Sequence, residues 1–583
     1  MYRKNRPNNK KKGVLLPVFS LPSRYGIGCF SQEARDFIDW LKETGHTYWQ
    51  ILPLNPTGVA DSPYQPLSSF AGNAYFIDPE QLVSQGLIRQ EELDVYDFGE
   101  DPRYVDYEIL YDNRMAMLGL AYKRFRAQRL DRASVSAAYE KFLAENAFWI
   151  EDYALFMSLR LRFGKELSWD DWPEELRHRE PEAIAQAASE EASLINFYRW
   201  TQFEFYRQWG ELKKYANAAG ISIIGDMPVY VSYDSADCWA APGQFQLGED
   251  LMPAWIAGVP PDDFAEEGQL WGNPLYDWAK MKEDGYAWWI SRIRQSFKLY
   301  DVIRLDHFRG YEAYYSCRAD AENAMHGVWH KGPGLELFRT LEEEIGRWDE
   351  IDGSVPLSER FIAEDLGFLT EEVHELLRRT GFPGTRVLQF AFDDDPENLY
   401  LPENFHENCV VYTGTHDNDT TVGWFRALDG DTQAGILQYL GMSGIDAWKL
   451  VLENDAYRKA RARREGPAAT AAGIAAAAAA ATAATTAAVD PAADLAAAFG
   501  PAATTAAAFD PSAASDPAAP PDPAIPATDL LIQKALDSWA KIAIIPLQDY
   551  LHLGSEARTN TPGTIVNNWC VRMPDVWRGK LHF

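Results

Sequence analysis

Apolar runs too short for helices alternate with helical periods along this chain, and four of them carry an acid at or just past the C-terminal end. The runs are Ile221–Ile224, Tyr300–Leu305, Arg360–Ala363, Cys409–Thr413 and Ile542–Leu547. They lack clean period-two alternation, which suits parallel strands covered on both faces. Tyr48–Leu54 and Val387–Phe392 read as further strands. Between the runs, Ser31 predicts the cap of a helix with the apolar face Ala34, Phe37, Ile38 and Leu41, ended by Gly45. Thr370 predicts another, with Val373, Leu376 and Leu377 inward and Gly381 at its end. Glu371 and Glu372 at its start and Arg378 and Arg379 near its end complement the helix dipole. Such alternation implies an α/β fold, either a barrel or an open sheet. The four acids are Asp226, Asp306, Glu364 and Asp417. A barrel builds its active site at that face, from the loops that follow the strands.

Composition removes several classes of function. A net charge of -31 argues against a nucleic-acid partner, because phosphate binding needs clustered positive charge. The basic start MYRKNRPNNKKK has no apolar stretch behind it long enough for a signal peptide, and residues 1–12 are expected to be a solvated, disordered tail. No run elsewhere is long enough to span a bilayer, so no membrane partner is expected. The five cysteines are scattered without a CxxC pair or a Cys/His cluster. That spacing argues against a zinc site or a disulfide framework and favours a reducing, cytoplasmic compartment. The 20 Trp and 28 Tyr serve either a core or a sugar-binding cleft, where flat apolar rings pack on sugar C–H groups.

The barrel pattern occupies residues 13–84, 216–466 and 528–583, with an acceptor-side loop at 234–277. Residues 85–215 are helical and polar in pattern and read as an inserted helical subdomain. Residues 467–527 are rich in Ala, Pro, Thr and Asp, and their prolines would cut any long helix. With almost no large apolar side chain to anchor it, that stretch reads as an insertion or linker without its own core.

Three of the acids stand in motifs dense enough to weigh. In Arg304-Leu305-Asp306 the two charged residues project to one side of a strand, so the guanidinium favours the ionised carboxylate. A nucleophile and a structural ion pair both fit. Glu364, after the run Phe361–Ala363, suits a carboxyl of raised pKa acting as an acid, while Asp365 beside it could equally cap a turn. Gly414-Thr415-His416-Asp417-Asn418-Asp419 gathers more polar function after a buried strand than a structural loop needs, although Asn and Asp also favour turns.

Together with further segments these motifs identify a family. Gly26-Ile27-Gly28, Asp61-Ser62-Pro63-Tyr64-Gln65, Gly225-Asp226-Met227-Pro228, Gly268-Gln269-Leu270-Trp271-Gly272-Asn273-Pro274, Arg304-Leu305-Asp306-His307-Phe308-Arg309-Gly310, Ala363-Glu364-Asp365-Leu366-Gly367 and Gly554-Ser555-Glu556-Ala557-Arg558 occur in one order along the chain. In this the chain closely resembles the 4-alpha-glucanotransferases, also called amylomaltases or disproportionating enzymes. The resemblance implies a (β/α)8 TIM barrel of the alpha-amylase type with inserted, mainly helical subdomains. It implies Asp306 as nucleophile, Glu364 as general acid/base, Asp417 as the aspartate that grips the donor sugar and favours its distorted form, and Arg304 as the arginine beside the nucleophile that supports the transition state. Tyr64, Asp226 and His416 match donor contacts, His307 counts among the substrate contacts, and Gln269 and Trp271 border the acceptor side. No cofactor and no metal are implied. The expected partners are maltooligosaccharides and other alpha-1,4-glucans, with glucose as an acceptor.

Retaining transfer needs one carboxylate to attack the anomeric carbon and another to protonate the leaving oxygen, roughly 5–5.5 Å apart. A glucan hydrolase on the same barrel, or a catalytically impaired glucan-binding homologue, are the rival readings. The chain departs from the family pattern at the alanine-rich detour, at Trp569-Cys570-Val571-Arg572 and at Asp263.

Overall fold

The computed structural model describes residues 10–129, 133–261, 265–348, 351, 354–393, 395–453 and 524–574. Residues 1–9 of the expected tail, 467–523 of the alanine-rich stretch, and Asp263 lie outside them. The chain divides into two compact units, residues 1–420 with 534–583, and residues 421–533.

The described residues of the first unit form twelve strands: β1 (Lys11–Leu15), β2 (Tyr48–Gln50), β3 (Ser222–Met227), β4 (Trp255–Val259), β5 (Gln269–Pro274), β6 (Val302–Leu305), β7 (Ala313–Arg318), β8 (Val328–Lys331), β9 (Phe361–Ala363), β10 (Gly384–Val387), β11 (Cys409–Tyr412) and β12 (Ile542–Pro546). Eight of them close into a barrel in the order β1-β12-β11-β10-β9-β6-β3-β2. Every neighbouring pair in the ring is parallel. With helices around it, this is a (β/α)8 barrel, as the alternation of short apolar runs and helical periods implies. The missing period-two signal has its reason here: β6, β11 and β12 are buried at every position, packed by helices outside and side chains within. Inside the ring, Tyr412 donates to Gln50 Oε1 at 2.8 Å.

Helices form where the apolar faces call for them, although Ser31 and Thr370 stand at the N-cap positions without a side-chain capping bond. Gln32–Glu43 follows Ser31 and buries Ala34, Phe37, Ile38 and Leu41, and Glu371–Thr380 ends on Gly381 in the left-handed conformation. The long helix Ala192–Ala219 runs through the boundary drawn at residue 215 and leads directly into β3. It packs on the barrel wall, where Trp209 Nε1 donates to Leu299 O and the Tyr215 hydroxyl to Asp39. Gly225, on β3, faces the Tyr300 ring so closely that an added Cβ would lie 2.1 Å from it.

Four expectations change. The first barrel strand starts at Lys11, inside the stretch 1–12 expected as tail. Its neighbour Lys10 gives its ammonium to Ala535 O and Ser538 Oγ, and Lys11 gives its own to the Tyr48 hydroxyl. These lysines are anchored, so their charge does not exclude a strand. The strand expected over Val387–Phe392 is instead Gly384–Val387, followed by a 3-10 turn at Leu388–Phe390. Gln389 leaves the sheet to donate to Asp419 O. The strand expected over Tyr48–Leu54 stops at Gln50, since Pro53 has no N–H for a ladder and the Leu54 N–H turns to the Tyr300 hydroxyl. Finally, the segment 234–277, expected as an acceptor-side loop, contains β4 and β5, which join β7 and β8 in an antiparallel sheet ordered β5-β4-β7-β8.

Among the described residues of the second unit are the helices Thr421–Ala427 and Gly430–Tyr439, the latter capped by Asp429, whose side chain accepts from Thr432 N. No helix among the described residues is long and apolar enough to cross a membrane.

Candidate active site

Adjacent parallel strands β3, β6 and β9 bring their C-terminal ends to one rim, and each delivers an acid there. Register pairs Asp226 with Arg304, and Leu305 with Ala363, so Asp306 and Glu364 follow on neighbouring strands. Arg304 Nη1 donates to both oxygens of Asp226 at 2.9 and 2.8 Å and to Asp306 Oδ1 at 2.8 Å. The Arg304 side chain is 4% exposed and that of Asp226 0%, while Asp306 keeps 26% open to solvent. A buried cation thus holds one carboxylate in the wall and one at the mouth.

Glu364 is fixed by the backbone. Its Oε2 accepts from His307 N at 2.7 Å, its Oε1 from Leu366 N at 2.9 Å. Burial pushes this carboxyl up to about 7, with Asp306 adding to the rise and Arg304 opposing it. His307 adopts φ 46°, in the left-handed region, which turns the chain sharply after β6. Burial lowers its ring to about 4, so the imidazole is neutral at pH 7. Asp365 turns the other way, accepting from Thr385 N at 2.5 Å and pairing with Arg386 at 3.0 Å. It is a buried support for the strand ends and has no part at the mouth.

Asp417 stands across from these groups on the loop after β11. Asn418 Oδ1 accepts from Thr415 N and Oγ1, tying that loop into a turn. Asn560 donates to Asp417 Oδ1 at 2.6 Å, Arg558 to Asp417 O at 2.7 Å, and His416 Nε2 lies 3.3 Å from Asp417 Oδ2. The Asp417 side chain remains 44% exposed.

Tyr64 connects the two sides. Its hydroxyl donates to Asp226 Oδ2 at 3.0 Å, and its ring stacks on His416 with centroids 5.1 Å apart. Burial first, then the charge of Asp226, raise this phenol well above its ordinary range, so it stays a donor. Trp569 backs both rings at 5.5 and 5.9 Å. Gln269 and Trp271 lie on β5, where Trp271 Nε1 donates to Gln269 Oε1 and the Trp271 ring meets His307 edge-on at 5.0 Å. All ten residues singled out in the sequence therefore take part in one connected rim. Among the described residues no group of three or more His, Cys, Asp or Glu could hold a metal ion.

Sequence reasoning did not assign Asn560, Trp569 or Gln65. Gln65 Nε2 donates to Trp271 O and to Asn273 Oδ1, joining the loop after β2 to β5. No spacing rule ties residue 65 to 271 or 560 to 417. For Arg558 and Gln65 the only signal was membership of the quoted motifs.

A family described as "4-alpha-glucanotransferase" matches residues 16–499 and 502–577. The 4-alpha-glucanotransferase of Streptococcus pneumoniae serotype 4 is 45% identical over 432 residues, 74% of this chain and 82% of that protein. That of Thermus thermophilus is 40% identical over 565 residues, 96% of this chain and 94% of that protein. The structure of amylomaltase from Streptococcus agalactiae in complex with acarbose superposes with a TM-score of 0.78 at 34% identity, covering 98% of this chain and 96% of that one.

Proposed function

The chain belongs to the 4-alpha-glucanotransferase family, and on that premise we propose that Asp306, Glu364 and Asp417 perform its transfer of alpha-1,4-glucan segments by double displacement. Arg304 holds Asp306 Oδ1, which leaves Oδ2 to attack the anomeric carbon of the donor. Glu364 gives its proton to the departing glycosidic oxygen, and the shortened glucan leaves. The 4-hydroxyl of an incoming glucan, or of glucose, then loses its proton to Glu364, and its oxygen displaces Asp306 from the anomeric carbon. Asp417, Asp226, His416 and Tyr64 grip the donor sugar, while Gln269, Trp271 and His307 border the acceptor. The observation that carries this reading is the contrast between two neighbouring carboxyls: Glu364 is pushed up to about 7 by burial, whereas Asp306 is bonded to a buried guanidinium. Such a difference in environment divides the acid's role from the nucleophile's.

Hydrolysis on the same barrel is not favoured, since the family and the relatives above are named as transferases. The test is incubation with maltotriose alone and resolution of product lengths. Glucose together with longer maltodextrins is expected, with a constant number of reducing ends. Steadily accumulating reducing ends would overturn the reading. Asp306→Asn should abolish turnover and retain glucan binding; undiminished turnover would remove Asp306 from the mechanism.

A further inference from the structure

Phe368 stands 75% exposed on the loop that follows β9. It is the fourth residue past Glu364 in the chain, so the two Cα atoms lie at most ~14 Å apart. The loop is fastened at several points. Leu366 N donates to Glu364 itself. The Phe368 carbonyl accepts from Arg309 Nη1 at 2.9 Å. The Arg309 guanidinium lies 4.0 Å from the centre of the Trp329 ring on β8 and 5.8 Å from that of Phe368. Arg309 is itself three residues past Asp306 and 7% exposed. Trp329 remains 38% exposed while its ring leans on Tyr315. Two rings with a cation between them are therefore tied to the backbone segments that carry the nucleophile and the acid/base.

A ring left 75% exposed over a buried arginine gains little for the fold beyond that one cation–π contact, because its apolar face stays hydrated. It does provide a flat apolar surface of the kind on which a sugar ring stacks its C–H groups, with Arg309 buried behind it as a fixed backing. The bound on the Glu364–Phe368 Cα separation keeps this surface within the span of a short oligosaccharide from the acid. We infer that Phe368, with Arg309 and Trp329 behind it, forms a remote subsite for the acceptor glucan, binding glucose units beyond the one that reacts. The inference rests on the transfer reading above. It makes the site select longer acceptors over glucose, because glucose fills only the reacting position and cannot reach the platform.

The test uses a maltosyl fluoride donor blocked at its terminal 4-hydroxyl, so that it cannot act as acceptor, with either glucose or maltotetraose as acceptor. Transfer to glucose by the unaltered enzyme tests the underlying reading separately. Phe368→Ala should raise the KM for maltotetraose by about three- to tenfold relative to the KM for glucose, the usual worth of one aromatic stacking contact. Phe368→Trp should keep the wild-type ratio or steepen it. If Phe368→Ala moves both KM values by the same factor, or neither, the subsite does not exist.

Discussion

Glu364 has two opposed electrostatic influences, and their balance decides what it can do at neutral pH. Burial and Asp306 favour the neutral acid, Arg304 favours the carboxylate, and the outcome is a titration near 7. A group at that value serves as acid in the first half-reaction and as base in the second. The sign of the pH dependence follows. On the proposed mechanism, formation of the glycosyl-enzyme needs the protonated form of Glu364, whose fraction falls as pH rises through about 7. Its rate should therefore decline about tenfold per pH unit well above that point. Rapid-quench measurement of glycosyl-enzyme formation between about pH 6 and 9 checks this; a flat profile would assign the acid elsewhere. His307 does not complicate the reading in this range, because burial keeps its ring neutral above about 4.

At the scale of elements, the site depends on how closely β3 approaches the segment before β6. Gly225 immediately precedes Asp226, and the Tyr300 ring fills the space where a side chain would stand. Tyr300 is itself fixed, accepting from Leu54 N through its hydroxyl. Gly225→Ala should cost about 1–3 kcal/mol as overpacking, measured as a lowered Tm. It should also raise the KM for donor glucan, because β3 carries Asp226 away from Arg304 and Tyr64. A variant with unchanged Tm and KM would show that β3 has room to shift.

At the scale of the whole molecule, the barrel closes only because β1 pairs with both β12 and β2. Three of its five residues are buried, and its loss would bare a strand edge on each neighbour, which invites pairing between chains. Removing the chain through Leu15 should therefore yield aggregated or unfolded protein, read by size-exclusion chromatography and near-UV circular dichroism. A monomeric, cooperatively unfolding product would mean that the remaining strands close without it. The high negative charge acts at the same scale by repulsion between chains, and it leaves a neutral polymer such as a glucan unaffected.

Local rules in the sequence were enough for the class of fold, for most strands of the barrel, and for the acids at strand ends, but for none of the strands of the second sheet. Caps, glycine stops and short apolar runs act over a few residues, and Asp306 and Glu364 are legible because each directly follows its own strand. The same rules failed where a distant partner competes. Gln389 leaves its expected strand for Asp419, β1 forms among lysines because Ala535, Ser538 and Tyr48 receive their ammonium groups, and the segment expected as a loop pairs into a second sheet. Only the tertiary structure brought Asn560 to Asp417, Trp569 behind Tyr64 and His416, and Arg309 between Trp329 and Phe368. It also decided that Asp365, next to Glu364 and identical in charge, is a buried strut. Neighbouring residues on a strand end point to opposite sides: Asp365, 1% exposed, is taken up by Thr385 N and Arg386, whereas Glu364 turns to the rim beside Asp306.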